Sequence, residues 1–190
     1  MGQEVSRAAS DRAVATGIAV LAALGVGTVM ERNLPLAQDV LEAPYEHPAR
    51  IGDEVALRNQ VVTVDEIAAG AFVESWGTTT GTSAHFLMAV VRFEAVSEPV
   101  GLSPTLVAAD GRHYDTRGAV SSACGVTQVG LPRTCRIFFE VPTDALPGAT
   151  LRLAASEDDA DDVAVVDLGV DEAGAARLAA STQTLSAEVG

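Results

Sequence analysis

Five acidic residues stand close together in the C-terminal third of the chain, and their carboxylates are the oxygen ligands that Ca²⁺ prefers. They are Glu157, Asp158, Asp159, Asp161 and Asp162. The run lies between two predicted strands and contains no glycine to shape a binding loop, and it does not fit the spacing of an EF-hand. We therefore expect a solvated turn. A metal site built from Asp158, Asp159, Asp161 and Asp162 is the alternative.

The chain has two cysteines, Cys124 and Cys135, with ten residues between them. A zinc site would need further ligands at suitable spacing, and no second cysteine pair exists. Outside the cytosol, this spacing fits a disulfide that closes the intervening loop against the following strand and stabilises the fold by about 2–3 kcal/mol. Two reduced thiols in the core of a cytosolic domain are the alternative.

The residues that could act in catalysis do not form a recognisable constellation. Ser83 precedes His85 by two positions, but neither an orienting acid nor a G-x-S-x-G elbow accompanies them. His85 and Met88 lie three positions apart on a predicted strand, so their side chains point to opposite faces and cannot share a metal ion. The sequence also has no glycine-rich phosphate loop. We expect a protein that is not an enzyme and that uses no cofactor.

Large apolar side chains interrupt a stretch rich in glycine and threonine at residues 68–83. They are Phe72, Val73 and Trp76, and Trp76 is the only tryptophan of the chain. We expect a long connection here. Its apolar residues would either plug one end of the core or stand exposed as a partner-binding loop.

The charge of the chain restricts its partners. The formal net charge is −14, and all 12 basic residues are arginine. Nucleic-acid binding requires clustered positive charge, so we expect no nucleic-acid partner. Anionic lipid headgroups would also repel the chain, so any attachment to a membrane must be hydrophobic.

Residues 13–30 form an uncharged, apolar segment of 18 residues. As a helix it would be about 27 Å long, close to the roughly 30 Å hydrocarbon core of a bilayer. We expect a membrane-spanning helix with residues 1–12 in the cytoplasm, because two arginines precede the segment and one follows it closely. A cleaved signal peptide with a small-x-small site at residues 25–27 and a buried core helix are the alternatives.

The remainder divides into a spacer, a domain and a tail. Residues 31–50 contain three prolines, which interrupt helices and ladders, so we expect an extended spacer. Residues 51–170 are enough for a sandwich of the roughly 100-residue class. The tail, residues 171–190, is rich in Ala, Ser, Thr and Glu, and we expect it to be flexible.

The domain is predicted to be built around a central strand at residues 84–94. Leu87, Ala89, Val91 and Phe93 fall on one face of this strand, and the other face is apolar at first and then charged. Shorter strands are predicted at residues 54–58, 61–67, 105–109, 112–116, 133–141, 151–155 and 163–170. This pattern, with no clear helix in the domain, predicts a mainly β, antiparallel sandwich.

Two details of the domain point to a known family. Asp110-Gly111 is followed by Tyr114, and Phe139-Glu140-Val141 is followed by Pro142. With the order of strands, these motifs resemble an immunoglobulin-like domain family of actinobacterial and other Gram-positive lipoproteins and membrane-anchored envelope proteins, structurally related to a small secreted mycobacterial antigen. The resemblance implies an immunoglobulin-like fold outside the cytoplasm, with no known catalytic residues.

From these observations we expect a single-pass membrane protein with its domain outside the cytoplasm. Its expected function is to mediate contacts with another envelope or membrane protein without catalysis. One alternative is a carrier of a ligand or metal that uses the Trp76 stretch or the acidic run. Another is an accessory subunit of a larger membrane complex, with the helix at residues 13–30 as its interface.

Overall fold

The protein is described by a computed structural model that covers residues 43–116, 124–156 and 161–188. These residues form ten strands, a short 3-10 helix and one α-helix. In chain order they are β1 Tyr45–Arg50, β2 Glu54–Ala56, β3 Gln60–Ser75, β4 Thr78–Ala95, β5 Ser103–Val107, β6 His113–Asp115, β7 Arg133–Val141, the 3-10 helix Thr143–Ala145, β8 Thr150–Ala154, β9 Asp162–Asp167, α1 Glu172–Ala179 and β10 Thr184–Ser186.

The strands form two sheets, which confirms the expected mainly β sandwich. The first sheet has the order β1–β9–β8–β5–β6, and the second has the order β10–β3–β4–β7 with β2 beside the start of β3. Between the sheets lies a common apolar core. It is formed by side chains such as Val91 and Ile137 from the second sheet and Leu106, Leu151 and Val166 from the first.

The predicted central strand is confirmed as part of β4, which pairs with β3 on one side and β7 on the other. Leu87, Ala89, Val91 and Phe93 are all buried in the core between the sheets. The opposite face of β4 is also apolar at its start, because Phe86 belongs to a separate buried cluster. The alternation in the sequence therefore indicated both faces of this strand correctly.

The expected long connection at residues 68–83 is wrong. These residues belong to β3 and β4, which form one long antiparallel hairpin with a two-residue turn at Trp76 and Gly77. The stretch contains no proline, and its β-branched threonines favour an extended conformation. The glycines that suggested a loop instead lie at the turn and at an irregularity of the register between Gly70 and Phe72.

The two ends of the domain also differ from expectation. The last residues of the expected spacer form β1, which pairs in parallel with β9 at the edge of the first sheet. Pro48 is tolerated there because an edge strand needs hydrogen bonds on one side only. The expected flexible tail contains α1, whose N-cap is Asp171, and β10, which pairs in parallel with β3. The antiparallel expectation therefore holds for the named strand pairs within residues 51–170 and fails for these two outer strands.

The predicted membrane helix at residues 13–30 lies outside the described residues. Among the described residues, no helix is both long and apolar enough to cross a membrane.

Candidate functional site

The most prominent feature of the second sheet is the end of its long hairpin, residues 72–81, which we call the hairpin arm. The arm contains four residue pairs, from Phe72 opposite Gly81 to Ser75 opposite Thr78. Strand β7 ends at Val141 opposite His85, so it does not pair with β4 along the arm. The arm therefore extends past the end of β7.

The turn of the arm holds a tryptophan in an unfavourable backbone conformation. Trp76 has φ of 51° and Gly77 has φ of 74°, the combination expected for a two-residue type I′ turn. Glycine and asparagine adopt positive φ readily, whereas other residues lose roughly 1–2 kcal/mol. The Trp76 side chain is nevertheless 89% exposed, so it makes no burial gain that would offset this strain.

The structure separates the three apolar residues that the sequence grouped together. Phe72 is 42% exposed and its ring lies against Gly81, where an added Cβ would be 3.0 Å from the ring. Val73 is fully buried in a different environment. Val73 is therefore buried in an apolar cluster, whereas Phe72 and Trp76 stand exposed on the arm.

Val73 packs into an apolar cluster apart from the main core, which we call the outer cluster. Its buried members are Val73, Phe86, Met88, Phe138 and Leu185. Four of them come from β3, β4 and β7, whereas Leu185 is supplied by β10 near the end of the chain. The C-terminal segment thus covers a face of the second sheet that would otherwise be apolar and exposed.

Backbone and side-chain hydrogen bonds hold the C-terminal segment against the arm. The Ala187 N–H donates to the Glu74 carbonyl at 2.8 Å, and the Gln183 side chain donates to the Ala69 carbonyl at 2.9 Å. The Arg136 guanidinium donates to the Ser186 carbonyl at 3.1 Å and also to the carbonyl of Glu188. These acceptors are backbone carbonyls, so the contacts of Arg136 depend little on the identity of the residues it holds.

Gly70 is required for the close approach of the C-terminal segment. A Cβ added to Gly70 would overlap with the Gln183 carbonyl oxygen. We expect Gly70→Ala to displace residues 183–188, expose the outer cluster and lower the free energy of unfolding by about 2 kcal/mol, the value of burying one leucine side chain. Limited proteolysis of the C-terminus and denaturant unfolding measure these effects. Gly101→Ala is the matched control, because its added Cβ would make only an ordinary contact; equal behaviour of the two variants would contradict the assignment.

The strain at Trp76 gives a second prediction. We expect Trp76→Asn to raise the free energy of unfolding by about 1 kcal/mol, because asparagine adopts positive φ more easily than tryptophan and little buried surface is lost. Urea denaturation followed by far-UV circular dichroism tests this. Phe72→Asn serves as the comparison on the same arm. Its φ is not positive, so no gain is expected there. A loss of stability in Trp76→Asn would show that the indole supports the fold.

The structure joins Cys124 and Cys135 in a disulfide, with their Cα atoms 5.3 Å apart. Both cysteines are buried in the main core. The closed loop is further fixed by Val100 and Thr127, which exchange two backbone hydrogen bonds, and by a bond from the Gly130 N–H to the Ala95 carbonyl at 3.1 Å.

The acidic run is only partly described. Asp158 and Asp159 lie outside the described residues, while Asp162 accepts hydrogen bonds from the His47 Nε2 and the Arg58 backbone N–H, each at 2.6 Å. Asp161 contributes its carbonyl to the Tyr45 N–H. In the parts of the chain that the structure covers, no group of three or more His, Cys, Asp or Glu side chains is arranged to hold a metal ion. Asp162 thus has a structural role, because it joins β1 and β9 to the segment between β2 and β3.

An ion-pair network fixes the turn at Asp110 and Gly111, between β5 and β6. The backbone N–H of Arg112 donates to Asp110 at 3.1 Å, and its guanidinium donates to Asp110 at 2.6 Å and to Asp144 at 2.9 Å. The backbone N–H first, and the guanidinium second, lower the pKa of Asp110. These contacts link the β5–β6 turn to the 3-10 helix, so the charged groups have a structural role.

The sequence analysis missed an exposed apolar patch on the disulfide-closed loop. Val126, Val129 and Leu131 are between 48% and 60% exposed, and Val96 beside them is 52% exposed. The bridge between Ala95 and Val129 brings the two segments together. No periodicity marks this patch, because it is formed by a loop that is positioned by contacts distant in sequence.

The sequence matches no known protein family and no curated protein. Its fold is similar to those of several solved structures, which include three bacterial proteins. The yjhA protein of Bacillus subtilis is 16% identical, with a TM-score of 0.47, and the match covers 63% of this chain and 99% of that one. An uncharacterised β-sandwich protein of Clostridium difficile is 13% identical, with a TM-score of 0.45, and the match covers 66% of this chain and 96% of that one. The secreted protein MPT63 of Mycobacterium tuberculosis is 14% identical, with a TM-score of 0.43, and the match covers 64% of this chain and 98% of that one. These similarities concern the sandwich fold alone.

Proposed function

We propose that this protein is a membrane-anchored, immunoglobulin-like module of the bacterial cell envelope that contacts another protein through the tip of its hairpin arm. In this proposal residues 13–30 span the membrane, the sandwich lies outside the cytoplasm, and the module has no catalytic activity. The partner is an envelope or membrane protein. Nucleic acid is a poor candidate because of the net charge of −14.

The observation that carries the proposal is the exposed indole of Trp76 at a strained turn. A residue held in an unfavourable conformation without any gain in packing is a candidate for a functional role. Tryptophan is also among the residues that contribute most to binding energy at protein interfaces, because it buries a large, rigid surface. Asparagine or glycine would serve the turn better, so the turn alone does not explain why tryptophan occupies it.

The position of the arm within the sandwich supports the same proposal. Tyr45, the first residue of β1, pairs with Asp162, which binds the Arg58 backbone next to the start of β3. The arm is formed by the other end of β3, about 50 Å away at the usual rise of a strand. A tether that joins the sandwich at Tyr45 would therefore leave the arm pointing away from the tethered end.

Site-specific photo-crosslinking tests the contact in cells. The full chain carries benzoylphenylalanine at position 76 or, as the matched control, at position 126, where an apolar side chain is 57% exposed near the other end of β3. We expect one discrete protein adduct from position 76 in the membrane fraction and none of the same mass from position 126. Excess unlabelled wild-type chain should suppress the adduct, whereas the Trp76→Asn chain should not.

Three outcomes would contradict the proposal. Identical adducts from both positions would indicate non-specific proximity, and suppression by the Trp76→Asn chain would exclude Trp76 from the contact. If the chain leaves the membrane fraction during an alkaline wash, the proposed membrane anchor is wrong.

A further inference from the structure

We propose that one edge of β3 at the base of the arm, residues 69–74, is a docking edge for an extended segment of another protein, and that β10 is an internal substitute which this segment displaces. The inference extends the proposed function, because it identifies the form of the partner at the base of the same arm. It rests on the way in which the C-terminal segment is held, which is independent of Trp76.

The docking edge recognises a short sequence pattern in the segment that pairs with it. Leu185 fills the outer cluster between Val73 and Phe138, and Ala187 packs at its margin. The Gln183 side chain donates to the Ala69 carbonyl, and the other hydrogen bonds reach the backbone, through the Glu74 carbonyl and the Arg136 guanidinium. An extended segment can make the same contacts if it has a leucine-sized residue, a small residue two positions later and an amide donor two positions earlier.

The internal strand uses little of the edge that is available. β10 forms three residue pairs with β3, Thr184 to Ser186 opposite Phe72 to Glu74. Just before β10, Gln183 still lies against β3, with its carbonyl close to Gly70 and its side chain bonded to the Ala69 carbonyl, and the chain is covalently attached to α1. Among the described residues, no strand pairs with residues 65–71 of β3 on this edge. A strand with only three residue pairs opens at low cost.

An open groove continues the track of β10 along β3. It has a volume of about 460 Å³ and is lined by Ala68 and Ala69 of β3, Gly174 and Arg177 of α1, and Gln183. A segment from another protein is not tied to α1, so it can extend through this groove and add hydrogen bonds to β3 that β10 does not make. This gives it an advantage over the internal strand.

A second copy of this chain lacks that advantage. The β10 of a second copy is attached to its own α1 in the same way. If it displaced the internal β10, it would form the same three residue pairs with β3 and gain no hydrogen bonds. Each copy also carries a net charge of −14, which disfavours close association. The structure therefore favours a segment of a different protein.

Peptide binding to the full chain in mild detergent tests the inference. The probe is a fluorescently labelled peptide with the sequence of residues 181–188, and the control peptide has serine in place of its leucine. The chains compared are the wild type, Leu185→Ala, which weakens the internal strand, and Leu131→Ala, which removes an exposed leucine elsewhere. Anisotropy gives the affinity, and hydrogen exchange at residues 72–74 gives the location.

We expect the probe to bind Leu185→Ala about tenfold more tightly than the wild type or Leu131→Ala, because apparent affinity rises with the fraction of open sites. The control peptide should not bind. A probe extended at its N-terminus by four alternating threonine and valine residues should bind more tightly still, since it reaches into the groove. Protection from exchange should appear at residues 72–74.

Three results would overturn the inference. Equal affinity of the probe for Leu185→Ala and the wild type would show that β10 does not compete with the peptide. Binding of the control peptide would show that the outer cluster does not select a leucine side chain. Wild-type dimers that the probe converts to monomers would make a second copy the occupant. None of these results affects the crosslink from position 76, so failure of the docking edge and failure of the proposed function are distinguishable.

Discussion

Replacing Phe139 by alanine is expected to lower the free energy of unfolding by about 3–5 kcal/mol, a larger loss than we expect from Gly70→Ala. Phe139 lies on β7 opposite Leu87 and is 1% exposed in the main core between the sheets. Truncation removes the transfer free energy of the ring and leaves a cavity between two close-packed sheets, which the surrounding side chains can fill only in part.

The neighbouring phenylalanine is a matched control on the same strand. Phe138 is 3% exposed, but it faces the outer cluster, which is closed from outside by Leu185 of the C-terminal segment. This segment can move inward or detach, so we expect Phe138→Ala to cost about 1–2 kcal/mol and to increase proteolysis of the C-terminus. Denaturant unfolding of the two variants measures the difference. Equal losses would show that the outer cluster is as rigid as the main core.

The elements that sequence reasoning predicted well are those whose own side chains determine their faces. The strand at residues 133–141 has the bounds that its alternation predicted, with Cys135, Ile137 and Phe139 directed to the main core. The central strand was found for the same reason. In these strands the residues that face the main core are apolar, so a period of two is visible without knowledge of the neighbours.

The outer strands β1 and β10 could not be predicted in this way. β1 contains Pro48 together with charged residues, and β10 contributes a single buried apolar side chain, Leu185. Their strand conformation comes from pairing with β9 and β3, which are far away in the sequence. Such pairing outweighs local propensity, so these strands cannot be predicted from composition or periodicity.

The sequence singled out the residues of the candidate site, but their geometry could not be predicted from it. The unusual apolar residues in a glycine- and threonine-rich stretch drew attention to residues 72–76, which the structure places on the hairpin arm. The separation of Phe72 from Val73 depends on their alternate faces, and the covering of Val73 depends on Leu185, more than one hundred positions away. The strain at Trp76 depends on a turn that the sequence analysis did not recognise.

Removal of the disulfide by the double substitution Cys124→Ser and Cys135→Ser is expected to lower the free energy of unfolding by about 2–3 kcal/mol. In the simplest account, the bond acts on the unfolded chain by closing a loop of sequence separation 11. The native loop keeps its two backbone bonds between Val100 and Thr127, so we expect it to retain its conformation. Denaturant unfolding with and without a reducing agent measures the loss.

The reducing agent also provides the control. Reduced wild-type chain should match the double variant in stability, and the variant should not respond to the reductant at all. Hydrogen exchange along β7 should be unchanged under native conditions, since the bond contributes little to the native contacts of that strand. A loss well above about 3 kcal/mol, together with faster exchange in β7, would instead show that the two sulfur atoms, buried in the main core, contribute chiefly through packing.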